Sequence, residues 1–181
     1  MKKYVLISSV IVAAICLFTA CSSDDDDFNP NAIQPVTLTE GDIVDFFNSE
    51  LPERHSDKDQ YRVTESFFDY YSSERGTAYI INSRQELADV YRGEKELPAI
   101  DFDKYTLIVG HGLMPCLHFY VAKKELVADE NGLQLTVYAR NDGELLALEM
   151  QQLYFWGLYP KQAQKTITLK IIEEYTNYSD K

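Results

Sequence analysis

The chain has 181 residues and a formal charge of −12, with 29 acidic against 17 basic side chains. Phosphate contacts need clustered Lys and Arg, so this balance excludes a nucleic-acid binder, and it keeps a folded domain off anionic lipid headgroups. The length fits one domain large enough to bury its own core.

The chain opens with Lys2 and Lys3, an apolar run from Tyr4 to Phe18, then Thr19, Ala20 and Cys21. A charged start, a short apolar stretch and small residues before a cut describe a secretory leader over residues 1–20. The alternative is a membrane anchor. A spanning helix needs roughly 20 apolar residues, and this run is shorter and carries Ser8 and Ser9. A cysteine directly after Ala20 resembles a lipoprotein signal, cut before Cys21 and acylated on its sulfur, with Phe18 where bacterial lipoboxes favour leucine. Stable anchoring takes more than one membrane signal, and the resemblance implies more than one acyl chain on Cys21. Lys2 and Lys3 leave with the leader, which takes the charge from −12 to −14.

Residues 21–35 read as a tether. Asp24–Asp27 repel one another into a solvated spacer. Cys21-Ser22-Ser23 followed by acids also resembles the export signal of surface lipoproteins of Bacteroidota, and the two readings are compatible. With Cys16 in the leader and Cys21 lipidated, only Cys116 remains, so no internal disulfide is expected.

The folded part is expected over residues 36–176. Thr39 and Asp42 have capping-box spacing, and Ile43, Phe46, Phe47 and Leu51 recur at helical intervals until Pro52, which predicts a helix over 40–50. Val63, Phe67, Tyr70 and Tyr71 give a second helical pattern, with a strand as the alternative. Thr77–Ile81 reads as a strand, and Ser83 with Glu86 caps a short helix closed by Gly93. Strands follow at 105–109 and 117–127, and Asn131-Gly132 marks a hairpin. Leu133, Leu135, Val137 and Ala139 alternate with polar residues, Gln152–Tyr159 is aromatic, and Ile167, Leu169 and Ile171 share a face. About five strands joined by short turns predict an α+β fold, an antiparallel meander with the N-terminal helices on one face.

From Asp101 to about Ile172 the order is Asp-Phe-Asp-Lys-Tyr, an apolar strand, a glycine-containing break, a strand through Tyr120, a hairpin and two more strands. This resembles the C-terminal domain of PrcB-like lipoproteins, subunits that associate with a surface protease complex. Leu113-Met114-Pro115-Cys116 stand where that pattern favours small residues. The resemblance implies fold and a protein-binding role, and it carries no site residues.

No H-E-x-x-H, G-x-S-x-G, Walker loop or paired C-x-x-C is present in the sequence. Gly110-His111-Gly112 reads as a flexible break between strands. His111, Cys116 and His118 are candidate zinc ligands, with 116 and 118 on one strand face and Asp101 or Asp103 as a fourth; the competing reading is a buried thiol and hydrogen-bonded imidazoles. Tyr154, Trp156 and Tyr159 are either core or an exposed platform for a glycan or a protein. No cofactor is implied. The reading is a non-catalytic lipoprotein at the outer membrane, facing outward, that partners another envelope protein. The alternative is a surface glycan binder using those aromatics.

Overall fold

The computed structural model describes residues 29–69, 75–143 and 149–176. The leader, Cys21, the acidic run, Tyr70 and Tyr71 lie outside them. Among the described residues the protein is mostly β, with two helices and two three-stranded sheets, so α+β holds in broad terms.

Helix α1 spans Asp42–Glu50. Gly41, not Thr39, is its N-cap; with φ 110° it sits where a side chain is strained, and no side chain caps the first turn. Asp42 and Asp45 lie in that turn, where carboxylates suit the helix dipole. Residues 63–69 form no helix. The Thr64 hydroxyl accepts from the Ser66 N–H, and the Tyr154 hydroxyl donates to the Thr64 carbonyl, so the backbone bonds locally and to β5. Strand β1 is Gly76–Ile81, and α2 is Arg84–Val90. Its capping box is formed: Ser83 accepts from the Glu86 N–H, and the Glu86 carboxylate accepts from the Asn82 N–H.

Strands β2 (Tyr105–Met114), β3 (Phe119–Asp129), β4 (Gly132–Asn141), β5 (Gln151–Pro160) and β6 (Ile167–Tyr175) complete the fold. They do not make a five-stranded meander. One sheet has the order β1-β2-β5 and the other β3-β4-β6, with β4 and β6 parallel. Burial explains the sorting. Strands β2 and β5 are apolar on both faces and need cover on both sides, so they lie in the middle layer. Strand β4 buries Leu133, Leu135, Val137 and Ala139 while Gln134 and Arg140 face out, so it sits in a one-sided outer sheet. Strand β6 alternates too and pairs with β4; β5, in the other sheet, supplies the crossover that parallel pairing requires.

The core between the sheets contains Ile108, Phe155 and Tyr159 from one side and Phe119, Leu126, Leu135 and Val137 from the other. A second cluster joins Phe46, Phe47, Phe67 and Leu87 to Leu107, Val109, Tyr154 and Leu158.

Gly110-His111-Gly112 is no break. It lies inside β2, buried, and is paired with β1 on one side and β5 on the other. A Cβ at Gly110 would stand 2.2 Å from the Phe155 ring, and one at Gly112 would stand 2.2 Å from an Ile171 methyl. Gly110 makes room for the ring of its own cross-strand neighbour on β5, and Gly112 for a side chain that β6 presses in from the other sheet.

Candidate functional site

Two sheets stacked face to face leave two seams, one between β3 and β5 and one between β1 and β6. The chain closes the first itself. The Ile33 N–H donates to the Leu126 carbonyl at 2.7 Å, and the Val36 N–H donates to the Leu158 carbonyl at 2.6 Å. The segment after α1 returns to the same seam, where the Val121 N–H donates to the Arg54 carbonyl at 2.9 Å.

Side chains finish the closure by standing in for a strand. The outward N–H of Trp156 donates to the Glu53 carboxylate at 3.1 Å, and its carbonyl accepts from the Lys124 ammonium at 2.7 Å. Glu53 and Lys124 also pair with each other at 2.6 Å, with side chains 3% and 19% exposed. Gln151 does the same for β3: its amide oxygen accepts from the Phe119 N–H at 3.0 Å while its NH2 donates to the Phe119 carbonyl at 2.8 Å. Each pair of groups meets the donor and acceptor that a neighbouring strand would have bonded.

The β1–β6 seam is left differently. Among the described residues no strand pairs with the outer edge of β1 or of β6. Ala78, Ile80, Ile167, Leu169 and Ile171 pack on the core yet stay partly exposed. A cleft of about 250 Å³ opens at the Gly76 end, between Leu113 and Met114 on one side and Leu169 and Ile171 on the other, with Arg75 and Glu173 at its rim. A second, of about 350 Å³, opens at the Ile80 end beside Gln162 and Lys165.

The charges along this seam are not equivalent. Glu173 accepts from the Tyr175 hydroxyl at 2.8 Å, and Glu86 is held by the Asn82 N–H. Burial and then that bond to Glu173 push the Tyr175 phenol up to about 12. Arg75 and Lys165 make no side-chain hydrogen bond or ion pair among the described residues. Both are exposed.

The residues singled out in the sequence fall elsewhere. Tyr154 and Tyr159 are 2% and 1% exposed, in the two separate core clusters, and Trp156 is half-buried and stacked on Phe47 at 4.6 Å. They form no exposed platform, because β5 is covered on both faces. The zinc candidates do not converge: among the described residues no three His, Cys, Asp or Glu side chains form a metal site. His111 is buried against Gln152, with Nδ1 2.7 Å from Oε1, and its ring lies against Phe68. Cys116 lies in the core between the sheets and accepts from the Asn141 amide, and burial pushes its thiol up. His118 is exposed at φ 73°. Residues 115–118 are a turn outside the strands, so 116 and 118 share no strand face; Pro115, lacking an N–H, stands just past the end of β2. Asp101 and Asp103 are exposed, and Asp101 pairs with Lys104 at 2.7 Å.

The seam residues themselves, Arg75, Lys165, Glu53 and Lys124, carry no sequence motif. The i, i+2 glycines of Gly110-His111-Gly112 were the one available signal, since alternation puts both on one face. Comparison of the chain with protein-family models, curated proteins and solved structures finds no match in any of the three.

Proposed function

We propose that this domain is a non-catalytic binding module of a lipid-anchored outer-membrane protein, an accessory subunit that presents its open seam to another envelope protein. One observation carries the reading: among the described residues, the fold closes one of its two seams with its own chain and leaves the opposite one with two clefts and partly exposed core side chains. The chain enters along the closed seam, through Ile33 and Val36. A tether ending there leaves the open seam on the far edge of the sandwich. The acidic run after Cys21 keeps the domain clear of the lipid surface.

The anchor and the seam are tested separately. Cys21→Ser is expected to release the protein from the envelope fraction; retention contradicts the anchor. A photo-crosslinking residue at Lys170, on β6, is expected to give one discrete adduct in cells, and one at Glu96, on the helical side, none. Equal labelling from both positions contradicts the seam as the binding face.

A further inference from the structure

We infer that the open seam takes up an extended peptide strand from a partner protein, added to the outer edge of β1, apolar at alternate positions and acidic at both ends. This rests on the binding-module reading and names the partner's chemistry.

The two exposed edges are not equally available. Strand β6 carries Lys170, Glu173 and Glu174, the kind of charge that discourages edge pairing. Strand β1, Gly-Thr-Ala-Tyr-Ile-Ile, has neither a charge nor a proline, and an unguarded edge of this kind is a template for another strand. The pairing of β1 with β2 fixes which groups are on offer. The Leu113 N–H donates to the Arg75 carbonyl, so Arg75, Thr77 and Tyr79 turn their backbone groups toward β2. Alternation turns those of Gly76, Ala78 and Ile80 outward.

The opposite seam shows what satisfies such an edge. There a chain segment lies along the gap, the Ile33 N–H bonds the Leu126 carbonyl, and the Ile33 side chain packs on the core. A segment along β1 would do likewise, bonding Ala78 and Ile80 and setting alternate apolar side chains on Ile80, Leu169 and Ile171. Main-chain bonds supply affinity in this mode, and alternate side chains supply selectivity. Six residues of strand span on the order of 20 Å at about 3.3 Å each. Arg75 and Lys165, which make no side-chain hydrogen bond or ion pair among the described residues, line the clefts at the two ends of that length, while Glu173 and Glu86 are already engaged. Acidic residues at both ends of the incoming strand complete these charges. A second copy of this chain fits less well, because the mature charge of −14 opposes self-association.

The probe is the blocked heptapeptide Asp-Val-Thr-Val-Thr-Val-Asp, titrated into the isotopically labelled full chain in detergent micelles. Saturable amide shifts confined to β1 and its flanks are expected. Ala78→Pro removes one outward N–H without touching the β1–β2 ladder and should abolish the shifts while the rest of the spectrum stays native. Arg75→Glu with Lys165→Glu should weaken binding about tenfold or more, and a Lys-ended peptide should bind wild type equally poorly. No β1 shifts up to about 1 mM peptide, a range that still detects weak binding, overturns the inference. So do shifts that survive Ala78→Pro, or a concentration-dependent dimer that Ala78→Pro abolishes. If the peptide fails while the Lys170 adduct persists, strand addition is wrong and the binding-module reading stands.

Discussion

At the β3–β5 seam, Trp156 has its outward N–H on Glu53 and its carbonyl on Lys124, and Phe119 has both groups on Gln151. At the β1–β6 seam, the outward groups of Ala78 and Ile80 meet no strand among the described residues, and the apolar side chains there are only partly covered. The sheets are the same pair; what differs, among the described residues, is whether a segment of the chain lies along the gap. Closing a seam takes backbone or its mimics, because each edge offers fixed donors and acceptors that apolar packing does not satisfy. Where no such closure is present among the described residues, the edge keeps donors and acceptors that no strand meets.

Mutations separate the two sides, and the largest effect belongs to the closed one. Phe47 is buried and stacks on Trp156, so Phe47→Ala is expected to cost about 3–5 kcal/mol by chemical denaturation, and Trp156→Ala about 3. A value near zero for Trp156 would restore it as a surface residue.

Lys124→Met comes next. It leaves the Glu53 carboxylate, 3% exposed, without its cation and the Trp156 carbonyl without its donor, at about 3 kcal/mol. On the open side, Arg75→Met and Lys165→Met should stay within about 0.5 kcal/mol of wild type. Equal losses on both sides would erase the distinction.

The glycines give a finer contrast. Gly110→Ala meets the Phe155 ring at 2.2 Å and the Thr77 carbonyl oxygen at 2.7 Å, so about 1–3 kcal/mol is expected. Gly112→Ala meets the end of the Ile171 side chain, which borders the open cleft and can swing aside, so its loss should be smaller. The reverse order would mean that the β1–β6 seam is as tightly packed as the interior.

The smallest effect concerns pH and a polar tie outside both seams. Burial raises the Glu50 carboxyl, but hydrogen bonds from Ser66 and Tyr91 and the Lys95 ammonium outweigh it and hold it below its ordinary value. A depressed folded pKa adds stability that is present above about 4.5 and is lost as pH falls through the folded value. Glu50→Gln should therefore flatten the acid limb of the stability–pH curve and leave the slope near neutrality unchanged.

What the sequence shows and what it hides divide along physical lines. Local chemistry was legible: the Ser83–Glu86 capping box, the Asn131-Gly132 hairpin and the one-sided alternation of β4 all depend on residues a few positions apart. Partnership was not. Pairing β4 with β6 instead of β5 follows from the two-faced burial of β5, which its aromatic run signals but does not decide. The same run, Tyr154, Trp156 and Tyr159, resembles a binding platform until the cover on both sides is known. Gly110 and Gly112 resemble a hinge because their reason, Phe155 and Ile171, lies 45 and 59 positions away. The open seam was out of reach for the same reason: Arg75 and Lys165 lie 90 residues apart in the sequence, and only the stacked sheets set them at the two ends of one strand.

Backbone hydrogen exchange on the full chain reads both seams at once. The amides of Val121, Trp156 and Phe119 at the closed seam should exchange only with global unfolding, and the outward amides of Ala78 and Ile80 should exchange orders of magnitude faster. Protection of Ala78 and Ile80 equal to that of Trp156 would contradict the account, because it would mean the second edge is already closed.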